Sequence, residues 1–359
     1  MNPAHTQKGR GALSNQDGRY EAHAHEVFDD GWGTIDEELP PVKTRVSLDS
    51  TRSVITYNQS PDVGFDRSIN AYRGCEHGCV YCFARPTHAY LGLSPGLDFE
   101  TKLFAKPNAA ALLKKELSKP GYQCQPIALG TNTDPYQPIE RTYRITRQIL
   151  EVLSACNHPV SIVTKSAMIE RDMDILADMA KRGLAHVSLS VTTLDRKLAR
   201  RMEPRAAAPE RRIAALKALS EAGIPSGVLV APIIPALTDS EMEVILEACA
   251  QAGAQWAGYV LLRLPLEVKN LFEEWLETHE PGKREHVLSL LRQSHGGKEY
   301  EARFGERMRG KGSYAEMIAQ RFRLACQRLG LNKQQSRLDV AQFRPPINHK
   351  VQLELFPNP

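Results

Sequence analysis

The sequence predicts an α/β protein centred on an incomplete (β/α)6 barrel, with an N-terminal arm and a C-terminal basic helical extension. Three observations carry that expectation. From Ile69 onward, short apolar runs alternate with stretches of helical periodicity, the pattern of parallel strands joined by crossover helices. Six such units follow one another at intervals of about 30 residues, the length of one strand–helix–strand unit. An eight-unit barrel is the alternative, but no seventh and eighth apolar runs are found.

The arm comes first. Residues 1–48 are polar and show little periodicity, and 49–68 hold one short strand, SVITY, before a Pro/Gly turn. The first barrel strand is placed near Ser68–Tyr72, and Pro107 opens a helix over Asn108–Leu117. QPIALG (125–130) is the second strand, followed by a helix beginning near Glu140 and running through ITRQILEVLSAC. HPVSIVT and RDMDILADMAKR form the third unit. LAHVSLSV (184–191) and PERRIAALKALSEA, ended by Gly223, form the fourth. PSGVLVAPI and DSEMEVILEACAQA form the fifth, with Asp239 or Ser240 as cap and Gly253 as stop. AQWAGYVLLRL (254–264) and VKNLFEEWLET complete the sixth, in which Arg263 and Glu267 are candidates to pair. A helix over Tyr314–Leu329 lies in the extension. The boundaries read 1–55 for the arm, 56–285 for the barrel and 286–359 for the extension with its tail.

The chain has 359 residues, 42% hydrophobic and 25% charged, a composition ordinary for a globular protein. A net charge of +4 is too small to imply a nucleic-acid partner by itself. The extension differs: Arg292–Arg337 holds 11 Lys/Arg against 4 Glu, which admits a DNA or nucleotide substrate. No apolar window is long enough to cross a membrane and no signal core opens the chain, so the expected location is cytoplasmic, with no membrane partner.

Chemistry concentrates in Ile69–Tyr90, INAYRGCEHGCVYCFARPTHAY, which holds Cys75, Cys79 and Cys82 of the seven cysteines. The others, Cys124, Cys156, Cys249 and Cys326, are scattered singly, which is not a disulfide framework. Thiolates at C-x3-C-x2-C suit an iron–sulfur cluster or zinc. Zinc needs a fourth ligand, which His77 or His88 would supply, whereas three thiolates on a four-iron cluster leave one iron open. Unligated cysteines are the remaining reading.

The loop resembles the signature of the radical S-adenosylmethionine enzymes. RGCEHGCVYCFAR, TDPYQPIE, VTKS and MEPRA together resemble the branch related to spore photoproduct lyase, over roughly residues 50 to 330. The resemblance implies that Cys75, Cys79 and Cys82 hold a [4Fe–4S] cluster whose open iron is chelated by S-adenosyl-L-methionine, with an external one-electron donor. It places Tyr81 near the adenine, and Lys165 and Ser190 against the cofactor. Thr133 and Asp134, with Thr131 and Asn132, are candidates for the cofactor's amino group, although the glycine of this loop, Gly130, comes first here. Arg205 is the candidate for a carboxylate or phosphate contact, because its planar donors suit either. Where the lyase uses a cysteine as hydrogen donor, this chain has Thr131, so the same repair reaction is not expected.

The tail adds Gln352–Leu353–Glu354–Leu355–Phe356, which resembles the peptide that docks replication and repair proteins on the bacterial sliding clamp. The leading function is therefore a radical enzyme of unassigned substrate. The alternatives are a clamp-docked enzyme acting on DNA and a non-catalytic zinc or iron–sulfur protein that binds nucleic acid.

Overall fold

The computed structural model describes residues 8–21, 42–333 and 337–346, so the clamp-like segment Gln352–Phe356 lies outside the described residues. The strands β1 (Arg45–Leu48), β2 (Ile55–Tyr57), β3 (Arg67–Ile69) and β4 (Tyr72–Arg73) come first. Helix α1 (Leu97–Thr101) runs directly into β5 (Lys102–Ala105), and α2 (Ala109–Leu117) leads to β6 (Ile127–Leu129). Then follow α3 (Glu140–Tyr143), α4 (Ile145–Ala155), β7 (Val160–Thr164), α5 (Met173–Lys181) and β8 (Ala185–Ser190). Next are α6 (Arg196–Met202), α7 (Pro209–Glu221), β9 (Ser226–Ile233), α8 (Met242–Gln251) and β10 (Trp256–Leu261). Helices α9 (Val268–His279), α10 (Arg284–Ser294) and α11 (Ser313–Leu329) end the described series.

The principal sheet has the order β10-β9-β8-β7-β6-β3-β2. β3 and β6 to β10 are parallel neighbours, and β2 joins β3 antiparallel. These six parallel strands are the predicted partial (β/α)6 barrel. Their apolar residues line one face of the sheet at every second position: Ile127, Val160, Ile162, Val187, Leu189 and Val228 are all buried in one core. A small sheet β1-β5-β4 stands beside it.

The two sheet edges are joined by the segment after α10. Leu261 N donates to the Met308 carbonyl at 2.8 Å, and Gly305 N donates to Asp62 Oδ1 at 2.6 Å. Asp62, in the β2–β3 turn, also pairs with Arg307. Helix α11 packs on α8, and its Ile318, Ala325 and Cys326 belong to the same core as the barrel strands. Five of the eleven basic residues counted there meet carboxylates: Arg292 with Glu299, Arg303 with Glu301, Arg307 with Asp62, Lys311 with Glu306 and Arg321 with Glu243.

Three expectations are corrected. The strand expected at 68–72 is two: β3 ends at Ile69, and Tyr72 starts β4 in the small sheet, against Ala105 of β5. The helix expected to run on from Glu140 breaks at Arg144, whose φ is 49°. The reason is Glu140 itself, which is wholly buried and accepts from Thr146 N at 3.1 Å, satisfying a free amide at the start of α4. Neither Asp239 nor Ser240 caps α8. They lie in a short 3-10 turn, and α8 begins at Met242.

Candidate active site

The cysteine loop leaves β3 and β4 at the C-terminal end of the parallel strands, where barrels of this kind carry their chemistry. Its sharp turns rest on Gly74 and Gly78, both at positive φ, with no room at Gly78 for a side chain beside Glu100. Arg85 holds the loop from beneath. It is wholly buried, donates from Nε to the Cys79 carbonyl at 2.9 Å, and pairs with the equally buried Glu100. The other face of Glu100 accepts from Gly11 N at 3.0 Å and Ala12 N at 2.8 Å, so the described part of the arm is strapped onto the loop. A Cβ on Gly11 would drive into the Gly78 carbonyl oxygen.

Cys75 and Cys79 are buried, Cys82 is partly so, and none is in a disulfide. Burial pushes all three thiols up, Cys75 and Cys79 furthest, and neighbouring Asp134 and Glu203 add to it. Left alone they would stay protonated. Metal ions reverse that balance, because they supply the positive charge that a thiolate needs. Among the described residues, no three His, Cys, Asp or Glu side chains form a group that could hold a single metal ion.

Beside the loop lies a buried charged network. Lys165, just after β7, donates from Nζ to Ser190 Oγ at 2.8 Å, Thr192 Oγ1 at 3.0 Å and the Ala231 carbonyl at 3.1 Å, and pairs with Glu203 at 3.1 Å. Burial, with Arg212 nearby, lowers the Lys165 ammonium to about 8. Tyr81 donates its hydroxyl to Glu203, and Arg212 pairs with the other oxygen of that carboxylate. The network thus joins the loop to β7, β8 and β9.

The structure brings Tyr81, Lys165 and Ser190 together. Thr133 and Asp134 instead bind the protein. Thr133 donates to the Gly74 carbonyl at 2.6 Å, and Asp134 accepts from Thr164 Oγ1 at 2.7 Å and Lys165 N at 2.8 Å. Burial alone would raise the Asp134 pKa, but His77 at 3.3 Å and these donors outweigh it and hold the carboxyl below its usual range. Arg205 pairs with Glu76 of the loop at 3.1 Å. Glu267 pairs with Arg19 at 2.9 Å, which removes it as the partner of Arg263. The sequence reading passed over Gln137, which is wholly buried and donates to the Gly74 carbonyl at 3.2 Å while accepting from Glu76 N at 2.8 Å. Nor does the sequence alone single out Glu203 and Arg212, which stand nine residues apart and pair across the start of α7.

An α/β partial barrel with a three-cysteine loop at this end defines the class. The chain matches the Radical SAM superfamily over residues 69–249 and belongs to that superfamily. An uncharacterized protein of Mycobacterium tuberculosis (strain H37Rv) is 40% identical over 219 residues, 60% of this chain and 64% of that relative. The chain thus spans less than two thirds of the mycobacterial relative. An uncharacterized protein of Methanocaldococcus jannaschii is 30% identical over 206 residues, 57% of this chain and 74% of the relative. Among solved structures, spore photoproduct lyase complexed with dinucleoside spore photoproduct superposes with a TM-score of 0.55 over 80% of each chain at 16% identity, a likeness of fold. No helix among the described residues is long and apolar enough to cross a membrane.

Proposed function

We propose that this protein is an iron–sulfur enzyme that reductively cleaves S-adenosyl-L-methionine and uses the resulting 5'-deoxyadenosyl radical to take hydrogen from a substrate. The observation that carries the reading is the donor set: three cysteines, Cys75 and Cys79 buried and Cys82 partly so, none in a disulfide, on one tight loop of a superfamily member. Three thiolates would leave one iron of a four-iron cluster open to S-adenosylmethionine, whereas a closed zinc site needs four protein ligands. That favours a [4Fe–4S] cluster over the zinc alternative.

Cys75, Cys79 and Cys82 would hold the cluster, which supplies, when bound, one-electron reduction of the sulfonium. The chain's own residues do the rest. Arg85 and Glu100 fix the loop backbone, while Gln137 and Thr133 fix Gly74. Lys165 presents a cation at the site, with Ser190 and Tyr81 beside it, and is suited to the carboxylate or ribose of the cofactor once it exchanges part of its internal bonding. The arm excludes water from one side of the loop. An external donor supplies the electron.

Anaerobic reconstitution tests this. The expected product contains about four irons per chain, and its reduced paramagnetic spectrum changes when S-adenosylmethionine is added. A colourless protein holding one tightly bound zinc contradicts it. Clamp docking through Gln352–Phe356 remains a separate proposal supported by sequence alone. A DNA or nucleotide substrate is likewise a separate proposal supported by the sequence, with five of the eleven basic residues of the extension held in ion pairs.

A further inference from the structure

Arg263 follows β10, the last parallel strand, and its guanidinium carbon lies 4.7 Å from the centroid of the Phe83 ring. Phe83 is the residue after Cys82 and is 50% exposed. Arg263 therefore faces the cysteine loop across the open side of the barrel.

What sets it apart is the lack of a carboxylate or any hydrogen-bond partner among the described residues. Lys165 and Arg212 share Glu203, Arg205 has Glu76, Arg85 has Glu100, Arg171 has Glu140 and Arg307 has Asp62. Arg263 makes no hydrogen bond or ion pair with a described residue, although it is half-buried. Asp62, whose charge reaches it, is held by Arg307 and by Gly305 N. The ring of Phe83 occupies one face of the guanidinium but satisfies none of its donors. Its donors meet no described partner and are not sealed from solvent, so an incoming anion can reach them, and the planar fork suits an oxyanion.

We infer that Arg263 is the anion-binding residue of the substrate site, taking a phosphate or carboxylate of the substrate beside the exposed ring of Phe83 and next to Cys82. The substrate is then an anion with an apolar or planar part that covers Phe83. This rests on the reading of the cysteine loop as the radical-generating centre, and it adds the class of molecule delivered to it.

The test uses the full-length, anaerobically reconstituted protein. Modification of Arg263 by phenylglyoxal is followed by peptide mass spectrometry, with sodium pyrophosphate, sodium succinate or sodium chloride at matched ionic strength. Pyrophosphate or succinate slows modification several-fold while chloride does not, and the one that protects tells phosphate from carboxylate. By calorimetry, Arg263→Gln binds the protecting probe about tenfold more weakly or worse. Arg263→Lys falls between, and the exposed-helix control Arg323→Gln matches wild type. Protection by neither probe, equal affinity in Arg263→Gln, or protection by S-adenosylmethionine alone overturns the inference. In the last case the anion belongs to the cofactor. Protection by a probe in a wild type that forms no 5'-deoxyadenosine keeps the anion site and overturns the radical reading instead.

Discussion

Arg85 donates to the Cys79 carbonyl at 2.9 Å and pairs with Glu100, both side chains being wholly buried beneath the cysteine loop. The loop's shape is therefore set by an ion pair that no solvent reaches. Breaking such a pair from one side leaves an uncompensated buried charge, which costs about 3–5 kcal/mol. Glu100→Ala should lower stability by that order in a denaturant titration and reduce the iron retained on reconstitution. Unchanged stability would mean that the pair is dispensable.

The strap of the arm over the loop leads to a second prediction. Gly11 has no room for a side chain against Gly78. Gly11→Ala should release residues 8–16, seen as faster limited proteolysis there and faster bleaching of the reconstituted protein in air. The barrel core, which the arm does not build, should keep its denaturation midpoint within about 1 kcal/mol of wild type.

Lys165 is the cation on which cofactor binding should depend most. Its Nζ already meets Ser190, Thr192, the Ala231 carbonyl and Glu203. Lys165→Met should weaken S-adenosylmethionine binding by on the order of 10-fold or more, the loss of a charged hydrogen bond, with iron content unchanged. Equal affinity in the variant would remove Lys165 from the cofactor site.

Acid sensitivity should come partly from His158, far from the cysteines. Its Nδ1 donates to the Pro159 carbonyl at 3.0 Å, its Nε2 accepts from Tyr122 at 2.8 Å, and burial pushes the imidazole down to about 4. The unfolded value is about 6.5, so between the two the unfolded chain binds the extra proton. The stabilisation is fully present above about pH 6.5 and is lost as pH falls toward 4, by about 3 kcal/mol in all. His158→Gln should flatten that part of the stability–pH curve, as urea titrations at several pH values would show.

The parts of the fold legible in the sequence were those with long apolar periodicity. β7, β8, β9 and β10 fall within the runs read as strands, and Gly223 and Gly253 sit at positive φ just past α7 and α8. The parts that were not legible are set by distant partners. β5 has four residues and exists because β1 and β4 pair with it from far along the chain. α6, with basic residues through RKLARRM, looks like surface chain but buries Leu198, Ala199 and Met202. At the site, the cysteine spacing and Lys165 were readable as local signals. Glu100 and Gln137 were not, because each acts on a backbone group far away in sequence. Arg263 and Glu267, neighbours in sequence that suggested a pair, part company because Arg19 of the arm reaches Glu267 first.

Generation of a carbon radical from S-adenosylmethionine at the three-cysteine loop leaves a product that can be measured. The direct measurement is 5'-deoxyadenosine formed by the anaerobically reconstituted full-length protein with dithionite, beside Cys75→Ala, Cys79→Ala and Cys82→Ala. Wild type is expected to form 5'-deoxyadenosine and methionine in equal amounts, and the three variants none. Iron-loaded wild type that binds S-adenosylmethionine yet forms no 5'-deoxyadenosine, or variants that form it as well as wild type does, would contradict it.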